Sequence, residues 1–189
     1  MKKESQVIFD KRVSEFVLVS AEVCRCFECA GAMKRKEFLD QSLKLLPLLY
    51  LKATMLPPCK ALEEEEELEI CVTEELYEDL RTNLAQLMGE QDDYLEVFLP
   101  EMVYSDQPIR KCISEELADI YQDLKDFVFV FQLGLNQTMN DALVRCIENF
   151  GPIWGQKLVN TLRAMHDARY NINSNDDTLE EEEEIEEEE

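Results

Sequence analysis

Glu116, Asp119, Asp123 and Asp126 follow one another at intervals of three, four and three residues. On a helix that spacing sets four carboxylates along one face. Glu75 and Glu78 supply another pair three residues apart. Two helices that each offer carboxylates at i and i+3 can hold Mg²⁺, an ion that prefers oxygen ligands. Such a site would pair the row that begins at Glu116 with Glu75 and Glu78. The simpler reading is favoured: a surface helix turns its charged side away from its apolar stripe, so the row is expected to be a solvated outer face. With 42 acidic residues among 189, such spacings arise cheaply.

The other reactive side chains point to structure rather than chemistry. Cys24, Cys26 and Cys29 form C-x-C-x-x-C, but on a helix the first two face nearly opposite sides, which ill suits a shared metal. Free thiols packed as small hydrophobes are expected. His166 is the single histidine. It has no nucleophile elbow to serve and falls near a helix end, where a partly cationic ring is favoured. The five glycines form no phosphate-cradling loop.

Partner recognition has better candidates. Trp154 follows a Gly-Pro break. Its register with Phe150 and Leu158 suits a core anchor, while tryptophan also dominates interaction hot spots. The loop around residues 100–113 brings Tyr104, Asp106 and Arg110 together, and loops carry function more often than cores do. With Asp119, Asp123 and Asp126 on the acidic face, these residues are the candidate partner-binding set.

The elements that position these residues are helical. Phe9, Val13, Phe16, Ser20, Val23 and Phe27 line a first helix over about 5–30, capped by Gly31. A second, over 34–56, buries Phe38, Leu45, Leu46, Leu49 and Ala53 and contains Pro47, which should kink it. Residues 59–72 read as a mobile acidic linker around Glu63 to Glu67. Thr73 then caps a helix carrying Leu76, Leu80, Leu84 and Leu87, ended by Gly89, and a short helix is expected over 92–99. Ser114 is expected to cap the acidic helix, with Leu117, Tyr121, Leu124, Val128 and Phe131 as its buried stripe. Asn136 opens a last segment to about Tyr170, interrupted at Gly151-Pro152. No strand is expected. The fold class is all-α: one domain over 1–173, a bundle of five or six helices, followed by a disordered acidic tail over 174–189.

Net charge is −23, and Asp176 to Glu189 contributes eleven acidic residues and no base. An acidic body repels phosphate backbones and anionic lipid, so direct nucleic-acid and membrane binding are disfavoured and a basic partner is favoured. An interrupted N-terminal apolar stretch and an odd number of cysteines, seven, point to a cytoplasmic protein with free thiols.

Two resemblances add to this reading. The quartet Glu75, Glu78, Glu116 and Asp119 resembles the E-x-x-E and E-x-x-D pairs of all-α nucleotide pyrophosphohydrolases. The resemblance implies these four as Mg²⁺ ligands, the metal activating water for attack on a phosphoanhydride, although the separation between the pairs is long for that family and no matching phosphate-binding basic residues stand nearby. More extensively, YSDQPI at 104–109 and ISEELADIYQDLKDF at 113–127, with YLKAT at 50–54 and WGQKLVN at 154–160, resemble a bacterial family, domain of unknown function 5063, over roughly residues 5–170. The resemblance implies an all-helical fold without an assigned activity. Family members are often encoded beside a 3′–5′ exonuclease, which implies a nuclease as a partner to look for.

The function expected is therefore a non-enzymatic interaction or adaptor domain for a protein with a basic surface, needing no cofactor. Two alternatives stand beside it: a Mg²⁺-dependent nucleotide hydrolase, and a nucleic-acid mimic whose carboxylates copy the duplex charge spacing of one per ~1.7 Å.

Overall fold

The computed structural model of the chain describes residues 5–62, 68–96 and 109–171. The helices are α1 (Lys11–Glu28), α2 (Arg35–Thr54), α3 (Glu74–Met88), α4 (Ile113–Gln132), α5 (Asn136–Asn149) and α6 (Gly155–Tyr170). A short antiparallel ladder pairs β1 (Asp93–Leu95) with β2 (Arg110–Cys112), Tyr94 opposite Lys111. The fold is all-α, as the periodicity predicts.

α4 is the central helix. It packs against α1, α3, α5 and α6, while α2 closes the bundle against α1 and α6. The predicted stripes supply the core: Val13, Phe16, Val23 and Phe27 of α1, Phe38, Leu46 and Leu49 of α2, Leu80 and Leu84 of α3, and Leu117, Tyr121, Leu124 and Val128 of α4 are buried. Cys24 and Cys26 do face different sides, and both sides are covered because α1 lies between α2 and α4. Burial pushes the Cys24 thiol up to about 12, so it is a packing group and not a nucleophile.

Several boundaries differ from the sequence expectation. α1 starts at Lys11 because Asp10 accepts the Arg12 N–H at 2.9 Å and caps it. Phe9 thus falls in a preceding 3₁₀ turn and is 68% exposed. α1 ends at Glu28, and Gly31 sits inside a second 3₁₀ turn rather than capping the helix. Thr73 caps α3 as expected, accepting from Leu76 N–H, and Gly89 ends it with φ of 57°. The helix expected over 92–99 is instead strand β1 over its described part. Asp92 accounts for the change: its backbone carbonyl accepts the Ile113 N–H at 2.8 Å, and its carboxylate takes the N–H and hydroxyl of Ser114 at 2.8 and 2.7 Å. Ser114 therefore does not cap α4; Asp92 does so from a distance, and this fastening draws residues 93–95 alongside 110–112. Asn136 is no cap either. Its amide clasps the backbone N–H and carbonyl of Ser5, at 2.7 and 2.9 Å.

The Gly151-Pro152 break becomes one π turn, Phe150–Trp154, between α5 and α6. Proline brings no N–H to the ladder, and the chain widens so that Gly155 N–H bonds Phe150 O. The wider turn swings Trp154 inward. Its ring is fully buried 6.3 Å from Phe16, and its indole N–H donates to Cys146 O at 2.9 Å.

A Cβ at Gly155 would collide with Phe150 O and lie 2.7 Å from the Phe150 ring, whereas one at Gly151 meets nothing within 4 Å beyond its chain neighbours. Gly155→Ala is expected to destabilise the fold by about 1–3 kcal/mol, the usual cost of overpacking. Gly151→Ala meets only the restriction that Pro152 places on a helical residue before it, and should destabilise less than Gly155→Ala. Urea denaturation of the two variants beside the parent chain checks the contrast.

Candidate functional site

The acidic row of α4 is not a solvated face. α4 is packed on too many sides for that, and each of the four carboxylates has partners inside the protein. Glu116 is buried, 4% exposed, and accepts from the Tyr94 hydroxyl of β1 and the Thr161 hydroxyl of α6. Asp119 accepts from the Tyr77 hydroxyl of α3 at 2.9 Å and pairs with Lys157 of α6. Asp123 takes the side-chain amide of Asn149 at 2.6 Å. Asp126 accepts the backbone N–H groups of Cys71 and Val72 at 2.7 and 2.9 Å.

Burial raises the carboxyl of Glu116, with Tyr94 and Thr161 opposing the rise, and burial likewise raises Asp123 against the help of Asn149 and Arg145. The phenols of Tyr77 and Tyr94 are pushed up by desolvation and by the carboxylates they serve, so both are donors at any ordinary pH.

Asp126 also shapes a cleft. By holding Cys71 and Val72 it draws the strand-like approach to α3 along α4. Leu68, Glu69 and Ile70 then form one wall of a cleft of about 310 Å³ whose other walls are α4, α5 and α6. Asp119, Asp123 and Asp126 line it with Arg145 and Lys157, over an apolar floor that includes Phe127 and Val130. Asp119 spends both oxygens, on Tyr77 and Lys157. Asp123 and Asp126 each use one oxygen in hydrogen bonds within the protein, leaving Oδ2 of each open among the described residues. The expected linker over 59–72 is pinned in its described parts: Leu62 N–H reaches Asp141 at 2.7 Å and Asn140 bonds Lys60 O at 2.9 Å, while 63–67 lie outside the described residues.

The remaining predicted site residues separate. Glu75 is exposed on α3, and Glu78 pairs with Arg81 at 2.7 Å. With Glu116 buried against β1 and α6 and Asp119 saturated, the four are not gathered as a ligand set. Among the described residues no group of three or more His, Cys, Asp or Glu side chains is placed to hold a metal ion. Trp154 is a core anchor and offers nothing to a partner. Arg110 is exposed on β2 and pairs with Asp93 at 3.1 Å. Tyr104 and Asp106 lie outside the described residues. His166 is exposed near the end of α6, its ring 4.8 Å from Tyr170.

Sequence reasoning missed a buried polar group behind the ladder. Glu96 is 4% exposed and accepts from Asn160 at 2.9 Å; Asn160 and Thr161 are themselves buried on α6. Their only sequence signal is position: both lie between Leu158 and Leu162 on the inward stripe.

Asp126→Ala would orphan two N–H groups at a cost of about 1–3 kcal/mol, and hydrogen exchange should show residues 68–72 opening while α2 stays protected. Glu116 sets a pH dependence of definite sign. Its folded pKa is raised above the ordinary 4.5, so its relative contribution is best below 4.5 and is lost as pH rises through the folded value. Glu116→Gln keeps an acceptor and removes the charge. Urea midpoints between about pH 4 and 7 should fall less with rising pH in this variant than in the parent chain.

Comparison with known proteins places these features in a wider set. The family model described as Domain of unknown function (DUF5063) matches residues 7–171. The crystal structure of protein BF1032 from Bacteroides fragilis, a Northeast Structural Genomics Consortium target, is 58% identical, with a TM-score of 0.79 over 89% of this chain and 99% of that one. No curated protein matches the chain.

Proposed function

The chain belongs to the family described as Domain of unknown function (DUF5063), and we propose that it is a non-enzymatic interaction domain recognising a protein with a basic surface. One observation carries this reading: the acidic surface open to a partner lies on α3 and borders the carboxylate cleft. Glu74, Glu75, Glu78 and Asp79 are all exposed on α3, joined by exposed Glu115 of α4. Arg81, which bridges Glu78, is the single basic residue of α3. The cleft adjoins this row through Tyr77, bonded to Asp119, and through Cys71 and Val72, held by Asp126.

Such a surface suits lysine and arginine side chains. The cleft's apolar floor receives an aliphatic stem, and the open oxygens of Asp123 and Asp126 receive a cationic head. The row on α3 adds long-range attraction, which speeds encounter and suppresses anionic competitors. The partner class is thus a protein with clustered basic residues, a nuclease being one such. No helix of the described residues is long and apolar enough to cross a membrane.

Capture of host proteins on the full-length chain tests the reading, with washes at about 50 mM and about 300 mM salt, a range over which exposed charges become screened. A stoichiometric basic partner should be retained at the lower salt, fall away at the higher, and be lost from the double variant Glu75→Lys, Glu78→Lys. Retention indifferent to both salt and variant would overturn the electrostatic basis. Absence of any companion would overturn the interaction reading itself.

A further inference from the structure

α2 runs against the charge of the rest of the chain. From its N-cap to its end it carries Lys34, Arg35, Lys36, Lys44 and Lys52 against Glu37 and Asp40, in a protein of net charge −23. Lys36 and Lys44 are exposed, and the field of both reaches Asp40. Beyond Lys44 the same outward stripe continues, at steps of four, three and four, as Leu48, Leu51 and Met55. These are 39%, 52% and 43% exposed. One helix face therefore carries Lys36 and Lys44 at one end, with Glu37 exposed beside them and Asp40 paired with Arg169, and is apolar at the other.

α6 ends beside it. Arg169, in its last turn, bonds Asp40 at 2.8 Å, between Lys36 and Lys44 in sequence. From there the chain continues through residues 172–189, beyond the span that the family model matches. That segment has eleven acidic residues and no basic one, with Leu179 and Ile185 set among the glutamates.

We propose that the C-terminal segment 174–189 docks along the outer face of α2 in its own chain, with glutamates against Lys36 and Lys44 and with Leu179 and Ile185 against Leu48, Leu51 and Met55. Reach permits it. α2 has 20 residues, about 30 Å of helix. Ile185 lies fourteen residue steps beyond Asn171, and extended chain spans up to about 3.5 Å per step, roughly 50 Å in all. The tether keeps the segment at high local concentration, so weak contacts suffice. Docking there covers the cationic face of α2 and leaves the acidic face of α3 open. The proposal concerns a different surface from the partner site and stands or falls separately from it.

Amide NMR spectra of the full-length chain, compared with a full-length variant in which Glu180 to Glu184 are changed to Gln, test it. The expected result is a cluster of shift changes over residues 36–55, reproduced in the parent chain when salt rises to about 0.5 M and the Debye length shrinks to a few ångströms. Lys36→Glu with Lys44→Glu should move the tail amides to the positions that the high-salt spectrum shows. Changes confined to the tail would overturn the proposal. So would α2 shifts that scale with protein concentration, which would place the tail on a second copy.

Discussion

A central helix packed on four sides cannot carry four carboxylates unless the protein supplies a donor to each. α4 is that helix, and the rest of the bundle is arranged around meeting the demand. Tyr94 and Thr161 approach Glu116 from the ladder and from α6, Tyr77 and Lys157 approach Asp119 from α3 and α6, and the backbone before α3 turns in to meet Asp126. The same pattern continues on the α1 side, where Glu28 accepts from Tyr121 at 2.8 Å and from Lys125 at 2.6 Å. An unmet buried acceptor costs more than a made bond returns, so these contacts fix how α3, α5 and α6 are placed against α4. Hydrophobic stripes alone would allow the helices to slide.

The apolar half of this design is legible in the sequence. Stripes such as Phe16, Val23 and Phe27, or Leu117, Tyr121 and Leu124, repeat at the helical period, and burial follows the period because nothing else can pay for ordering the chain. Thr73 and Gly89 are legible for a local reason: a cap and a positive φ are each properties of a few adjacent residues. The polar half is not legible. Asp92 fastens α4 from 21 residues upstream of Ile113 by main-chain geometry, and Asn136 serves Ser5 across 131 residues. Each residue type has a familiar local use, a turn or a cap, and nothing local distinguishes that use from a tertiary one. The short ladder escapes for the same reason: three residues give no period, and its cause is the Asp92 fastening.

Trp154 shows how a correct local inference can leave a choice open. A Gly-Pro break must disturb the ladder, but whether the disturbance turns the next side chain outward or inward depends on how the gap is closed. Closure by a π turn adds one residue to the turn and rotates Trp154 onto Phe16. Gly155 then has to be glycine-sized, because the widened turn brings Phe150 O against it. The break, the tryptophan and the glycine form one unit.

Net charge, finally, overstates what the protein offers to a partner. Carboxylates consumed by internal donors, Glu116, Asp119 and Glu28 among them, count toward −23 but present little to solvent or are neutralised by a paired lysine. This weakens the nucleic-acid mimic more than the adaptor, since mimicry needs an ordered double row of exposed charge and the most regular row in the sequence is the one turned inward. Recognition of basic side chains needs less: an open oxygen or two, an apolar floor and a flanking field. The cleft beside Asp123 and Asp126, with the exposed row on α3, meets those terms. Of the four residues that spacing alone would place at a metal, Glu116 and Asp119 serve instead as fasteners, while Glu75 and Glu78 stay exposed on α3.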